Sequence, residues 1–120
     1  ARAAALRWGG EAARALAAEH GSFDFVLSSD CVFEPLYGRS WQQLAECIAG
    51  LCGPSTVALV SVQRRNGQFE DAPDGVDAFL EALGHDLDVR RVWEGEAEAG
   101  SRLEVHRAQR AAGEGGGPPG

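Results

Sequence analysis

The stretch Phe23-Asp24-Phe25-Val26-Leu27-Ser28-Ser29-Asp30-Cys31-Val32-Phe33 decides the fold. Its apolar side chains run almost without a break from Phe25 to Leu27, and polar residues follow at once. A continuous apolar run of this length suits a strand covered on both faces, as in a parallel sheet. Upstream, Glu11 to Glu19 is Ala-rich with Leu16 and reads as a short helix stopped by Gly21. Downstream, Ser40-Trp41-Gln42-Gln43 has the spacing of a capping box, so Ser40 opens a second helix. Trp41, Leu44, Ile48 and Leu51 recur on one face of it, and Gly53-Pro54 ends it. Thr56 to Val62 is β-branched and uncharged, which predicts a second buried strand.

The remainder continues the alternation. Gln63 to Ala72 is polar and reads as a loop. Val76, Phe79, Leu80 and Leu83 form another helical stripe, capped by Asp74 or Asp71 and closed by Gly84. Leu87 to Trp93 and Leu103 to Ala108 are two late strands with polar alternation, Leu103 and Val105 against Glu104 and His106. The acidic stretch Glu94 to Gly100 separates them, an arrangement that allows an antiparallel pair at the sheet edge. The order helix, strand, helix, strand, helix, strand, strand predicts an α/β fold built on a doubly wound parallel sheet. From Ala111 the tail is Gly- and Pro-rich and cannot bury anything, so residues 111–120 are expected to be disordered and 1–110 to form one domain.

Composition narrows the function. The 120 residues allow one domain, and no apolar run reaches the length of a membrane span. Eleven basic residues, every one of them Arg, face 18 acidic ones for a net charge of −7. Nucleic-acid affinity rests on clustered positive charge, so no nucleic-acid partner is expected, and no membrane partner either. Cys31, Cys47 and Cys52 are odd in number and unpaired in spacing, which argues against a disulfide framework and for a reducing compartment, the cytoplasm or the nucleus. His20, His85 and His106 are scattered, so no metal site is expected. The chain opens on Ala1 in mid-pattern and reads as a fragment of something longer.

Three places could carry chemistry. In α/β sheets ligands bind beyond the carboxyl ends of the strands. Ser28 to Pro35 is such an end, with Asp30 and Glu34 as rim carboxylates; the structural alternative is that Asp30 caps the turn. Trp8 ahead of Gly9-Gly10 can lie flat on a planar ligand or pack in the core. Arg64-Arg65 ends the second strand and either touches a ligand or belongs to a solvated loop. Trp41 and Trp93 read as packing residues.

These residues resemble a known family. Leu6-Arg7-Trp8-Gly9, followed after a spacer by Phe23-Asp24-Phe25-Val26-Leu27-Ser28-Ser29-Asp30-Cys31-Val32-Phe33, looks like the C-terminal half of class I S-adenosylmethionine-dependent methyltransferases. Within these it resembles the methyltransferase-like 21 family of protein-lysine methyltransferases. The likeness runs from about Leu6 to about Arg107. It implies a Rossmann-like sheet ending in an antiparallel strand pair, S-adenosylmethionine as cofactor and a protein lysine as methyl acceptor. It implies further that Trp8 packs near the adenine and Ser29 lines the cofactor. Asp30, the acidic residue of the family's D-x-x-Y motif, would help position the target lysine, and Phe33 stands where that motif has Tyr. The family's Gly-rich cofactor turn has no counterpart here and is expected upstream, so the fragment alone should be inactive and poorly stable. Alternatives remain: methyl transfer to a small molecule, a non-catalytic protein-binding paralogue, or an unrelated nucleotide-binding α/β protein.

Overall fold

A computed structural model describes residues 4–21, 23–29, 31–32, 38–64, 75–97 and 101–111. The elements in chain order are α1 (Gly10–His20), β1 (Phe25–Ser29), α2 (Trp41–Leu51), β2 (Val57–Arg64), α3 (Val76–Leu83), β3 (Asp88–Glu96) and β4 (Arg102–Gln109). The predicted order holds. Strand ends move by a few residues, and Gln63 and Arg64 belong to β2 rather than to a loop.

The four strands form one sheet in the order β1-β2-β4-β3. β1 and β2 are parallel, from Phe25 opposite Val57 to Ser29 opposite Ser61. β4 lies antiparallel between β2 and β3, so the expected late pair forms and β4 joins it to the rest. The parallel register is set at the amino ends of the strands. The Thr56 hydroxyl is wholly buried, donates to Phe23 O at 2.5 Å and accepts from Gly53 N at 3.0 Å. Val57 N donates to Asp24 O at 3.0 Å. One side chain thus ties the end of α2 to the starts of both strands and satisfies groups that burial would otherwise leave unpaired.

The core lies between the sheet and the helices. Ala58, Val60, Val62 and Ala108 face Leu44, Ala45, Ile48, Val76, Phe79 and Leu83. On α2, Ala45, Cys47 and Ala49 are buried along with Leu44 and Ile48, whereas Trp41 and Leu51 are only partly so. The stripe is wider than predicted because α2 has neighbours on both flanks, α1 and α3. α1 comes close at Gly50, where an added Cβ would lie 2.9 Å from both Ala13 Cβ and Gly10 O.

Two expected helix starts are built differently. Ser40 caps α2 with its backbone and not its side chain: Leu44 N donates to Ser40 O at 3.0 Å, and no side-chain capping bond forms. Ser40 already has helical φ and ψ, which turns the hydroxyl away from the geometry a capping box needs. α3 starts from Gly75 in the left-handed conformation, φ 86°, where a glycine is favoured over either aspartate. Asp71 and Asp74 lie outside the described residues.

The largest correction concerns the sheet faces. β1 was expected to be covered on both sides. Yet Phe25 and Leu27 are 64% and 75% exposed. α2 and α3 pack on the opposite face and α1 packs on α2, so among the described residues one face carries the helical layer and the other is open. The alternation of β4 is correspondingly inverted. Glu104 and His106 point into the helical layer and are buried, while Leu103 and Val105 lie on the open face.

Candidate functional site

β1 ends at Ser29, opposite Ser61 of β2, which runs on to Arg64, and the two carboxyl ends form a rim of the kind where parallel α/β sheets bind ligands. Ser29 is exposed at the last position of β1. Immediately beyond, the Cys31 thiol donates to Ser29 O at 3.4 Å, and Val32 turns inward to the core with 2% exposure. The chain is therefore held on both sides of position 30. Asp30 and Phe33 themselves, with Glu34 and Tyr37, lie outside the described residues. Ser28, facing the helical layer beside Val60, has a buried hydroxyl without a hydrogen-bond partner among the described residues.

Trp8 stands just ahead of α1. It is 39% exposed and takes no part in the buried core. Gly9 follows with φ 155°, a conformation that favours glycine, and its carbonyl accepts Ala13 N at 3.2 Å as the first turn of α1 forms. An indole face beside a backbone without side chains can meet a planar ring. Trp8 and Ser29 thus both keep accessible surface.

At the same rim Arg64 is not part of a solvated loop. Its guanidinium reaches Asp77 of α3 at 2.8 Å and Glu104 of β4 at 2.9 Å. Glu104 is 1% exposed and also meets Arg102 at 3.4 Å and His106 Nε2 at 2.9 Å. Arg91 stands a little further off at 3.8 Å. Burial opposes ionisation of this carboxyl. The hydrogen bonds from His106 and Arg64 outweigh it and hold Glu104 below the ordinary carboxylate range. An ionised Glu104 requires a proton on His106 Nε2 for their hydrogen bond. The cluster ties α3 and β4 to the end of β2. Sequence alternation alone hid it, because Glu104 and His106 read as outward residues. Arg65 lies outside the described residues.

A second missed residue is Arg110. Its guanidinium donates to Ala49 O at 2.7 Å, Cys52 O at 3.1 Å and Asp86 O at 3.3 Å. It supplies the cation and donors that the C-terminus of α2, without a basic residue in its last turn, lacks. The buried Cys47 and Cys52 thiols are pushed up by that burial, which keeps them protonated and poorly nucleophilic. Trp41 packs against the core as expected, but Trp93 does not and is 53% exposed on the open face.

A parallel strand pair continued by an antiparallel pair, with three helices, makes a mixed α/β fold in which the β1–β2 rim is the candidate ligand end. The model of the lysine methyltransferase family matches residues 1–83, and the chain belongs to that family. The chain is also similar to secreted RxLR effector protein 48 of Plasmopara viticola, 43% identical over 79 residues. That match covers 62% of this chain and 37% of the relative, so the chain spans well under half of that relative's length.

Proposed function

We propose that this chain is the carboxyl-terminal part of a Rossmann-like, doubly wound methyltransferase domain that methylates a protein lysine side chain from S-adenosylmethionine. The observation that carries the reading is the joint one of family and site. A lysine methyltransferase match spans residues 1–83, and within it β1 presents Ser29 at an open strand end. The accessible Trp8 and Ser29 fit the cofactor. Trp8 would lie against its adenine, and the small Ser29 would let it approach the strand end.

S-adenosylmethionine, when bound, supplies an electrophilic methyl group on a sulfonium. The chain's own residues then have to present a neutral amine in line with it. Asp30 would orient the amine through a hydrogen bond, and the aromatic face of Phe33 would hold the cationic centre nearby. An apolar surround favours the uncharged amine, because desolvation lowers a lysine pKa. Phe33 lacks the hydroxyl of the family Tyr and offers only packing and its ring face. The three free thiols support residence in a reducing compartment, the cytoplasm or the nucleus.

A second reading is favoured by the similar protein. It is named as a secreted effector and not as an enzyme, and the alternative is a non-catalytic protein-binding role. Incubating the polypeptide as the cell makes it with labelled S-adenosylmethionine and a cell extract, then mapping the label by mass spectrometry, separates the two. Lysine-borne label that falls at least tenfold in Asp30→Asn, with cofactor affinity kept, supports transfer. Folded protein that binds partners without labelling any lysine would favour the alternative.

A further inference from the structure

The helical layer carries a groove between α2 and α3, on the side away from the sheet. The large core side chains of these helices, Leu44, Ile48, Phe79 and Leu83, turn inward to the strands. What they leave at the surface is small: Ala45 on α2, with Ala78 and Ala82 on α3. Alanines cannot fill the space between two helices, and a trough of about 550 Å³ remains. The partly buried Trp41 lines it near the amino end of α2, and His85 lines it just past the carboxyl end of α3. The size is that of an ordinary ligand site, and a trough between two helices is the shape into which the ridge of a third packs.

Charge selects the occupant. Both walls are acidic: Glu46 stands on α2, Glu81 on α3 and Asp86 on the turn that follows, all exposed. None of the three has an ion-pair partner among the described residues, and no arginine lines the trough. Arg14 and Arg110 line a neighbouring hollow that shares Glu46 and Asp86, but Arg110 is taken up by the Ala49, Cys52 and Asp86 carbonyls. Carboxylates on both sides of an alanine floor, with an indole beside it, suit a cationic side chain on an alkyl stem. The stem lies on the alanines, the head meets the carboxylates, and the indole face attracts the cation. The same field repels an acidic partner and a second copy of this chain, which carries a net charge of −7. The trough follows about two turns of α3, roughly 11 Å, enough for about two turns of a partner helix.

We propose that the α2–α3 groove docks a basic amphipathic helix of a partner protein. Its Arg or Lys side chains meet Glu46, Glu81 and Asp86, and one apolar side chain sits over Ala45, Ala78 and Ala82. The proposal goes beyond the β1–β2 rim and does not depend on methyl transfer.

The test titrates the polypeptide as the cell makes it into a fluorescent synthetic helix of about twelve residues built from Leu, Ala and Arg, read by anisotropy. Saturable one-to-one binding is expected. The pair Glu46→Gln with Glu81→Gln should weaken it at least tenfold. A charge-matched pair outside the groove, Glu19→Gln with Asp24→Asn, should leave it unchanged. Ala82→Leu fills the floor without altering charge and should also weaken binding at least tenfold. The Gln pair changes only exposed side chains, so it decides the matter even where Ala82→Leu disturbs folding. Absence of saturable binding would overturn the proposal. Equal weakening by the two charge pairs would overturn it too, since binding would then follow net charge and not the groove. So would full affinity in a folded Ala82→Leu protein.

Discussion

Replacing Glu104 with Gln keeps its shape and removes its charge. In the native protein the carboxylate accepts from Arg64 at 2.9 Å, Arg102 at 3.4 Å and His106 at 2.9 Å. The amide nitrogen of Gln would face donors on at least one of these contacts, and the partly buried Arg64 would lose its inner counter-charge. Breaking a buried pair by removing one partner costs about 3–5 kcal/mol. Arg64 keeps Asp77 at 2.8 Å and can turn towards water, which sets the cost of Glu104→Gln at the low end, about 3 kcal/mol. The pH dependence gives the claim its signature. The folded carboxyl is held below its ordinary value of 4.5, so its contribution is complete above that pH. It is lost as pH falls below 4.5 towards the folded value. Urea unfolding of both proteins between pH 8 and pH 3 should therefore show a constant gap above pH 6 that narrows in acid. A gap below about 0.5 kcal/mol at pH 7, the scale of an ordinary surface change, would mean that the buried charge cluster does not stabilise the fold. A gap that widens in acid would refute the reasoning.

Other perturbations follow the same logic. Arg110→Ala removes three donors from Ala49, Cys52 and Asp86 carbonyls and should cost about 2 kcal/mol in urea unfolding. Arg110→Lys should recover less than half of that, since one ammonium cannot span the three acceptors; full recovery would mean that charge alone matters. Gly50→Ala gains about 1 kcal/mol of helix propensity but forces α1 off α2, and overpacking of about 1–3 kcal/mol should win. Calorimetry should show a melting temperature lower by several degrees, and an unchanged or higher one would mean that α1 yields freely. In the methylation assay Asp30→Asn should lower turnover at least tenfold with cofactor affinity kept, and unchanged turnover would remove Asp30 from substrate positioning.

How far the sequence could be read depended on which forces were local. The order of helices and strands rests on periodicity and breakers such as Gly21, Gly53-Pro54 and Gly84, and it carried through. Trp8 and Ser29, singled out by resemblance, are both accessible in the fold. What failed were statements about faces. Phe25 and Leu27 look buried in sequence, yet whether a strand is covered depends on layers that a short window does not contain. Glu104 and His106 look solvated, and the approach of Arg64 from 40 residues away in sequence, which helps to make their burial tolerable, is not visible in a local pattern. Arg110 offered no signal, because its acceptors are backbone carbonyls that no side-chain pattern announces. Asp30 and Phe33, assigned by resemblance, fall outside the described residues.

Cofactor binding is tested by calorimetric titration of S-adenosylmethionine into the polypeptide as the cell makes it, beside its Trp8→Ala variant. Saturable one-to-one binding is expected, weakened about tenfold in the variant by loss of the indole stacking. Folded protein that takes up no S-adenosylmethionine would contradict it.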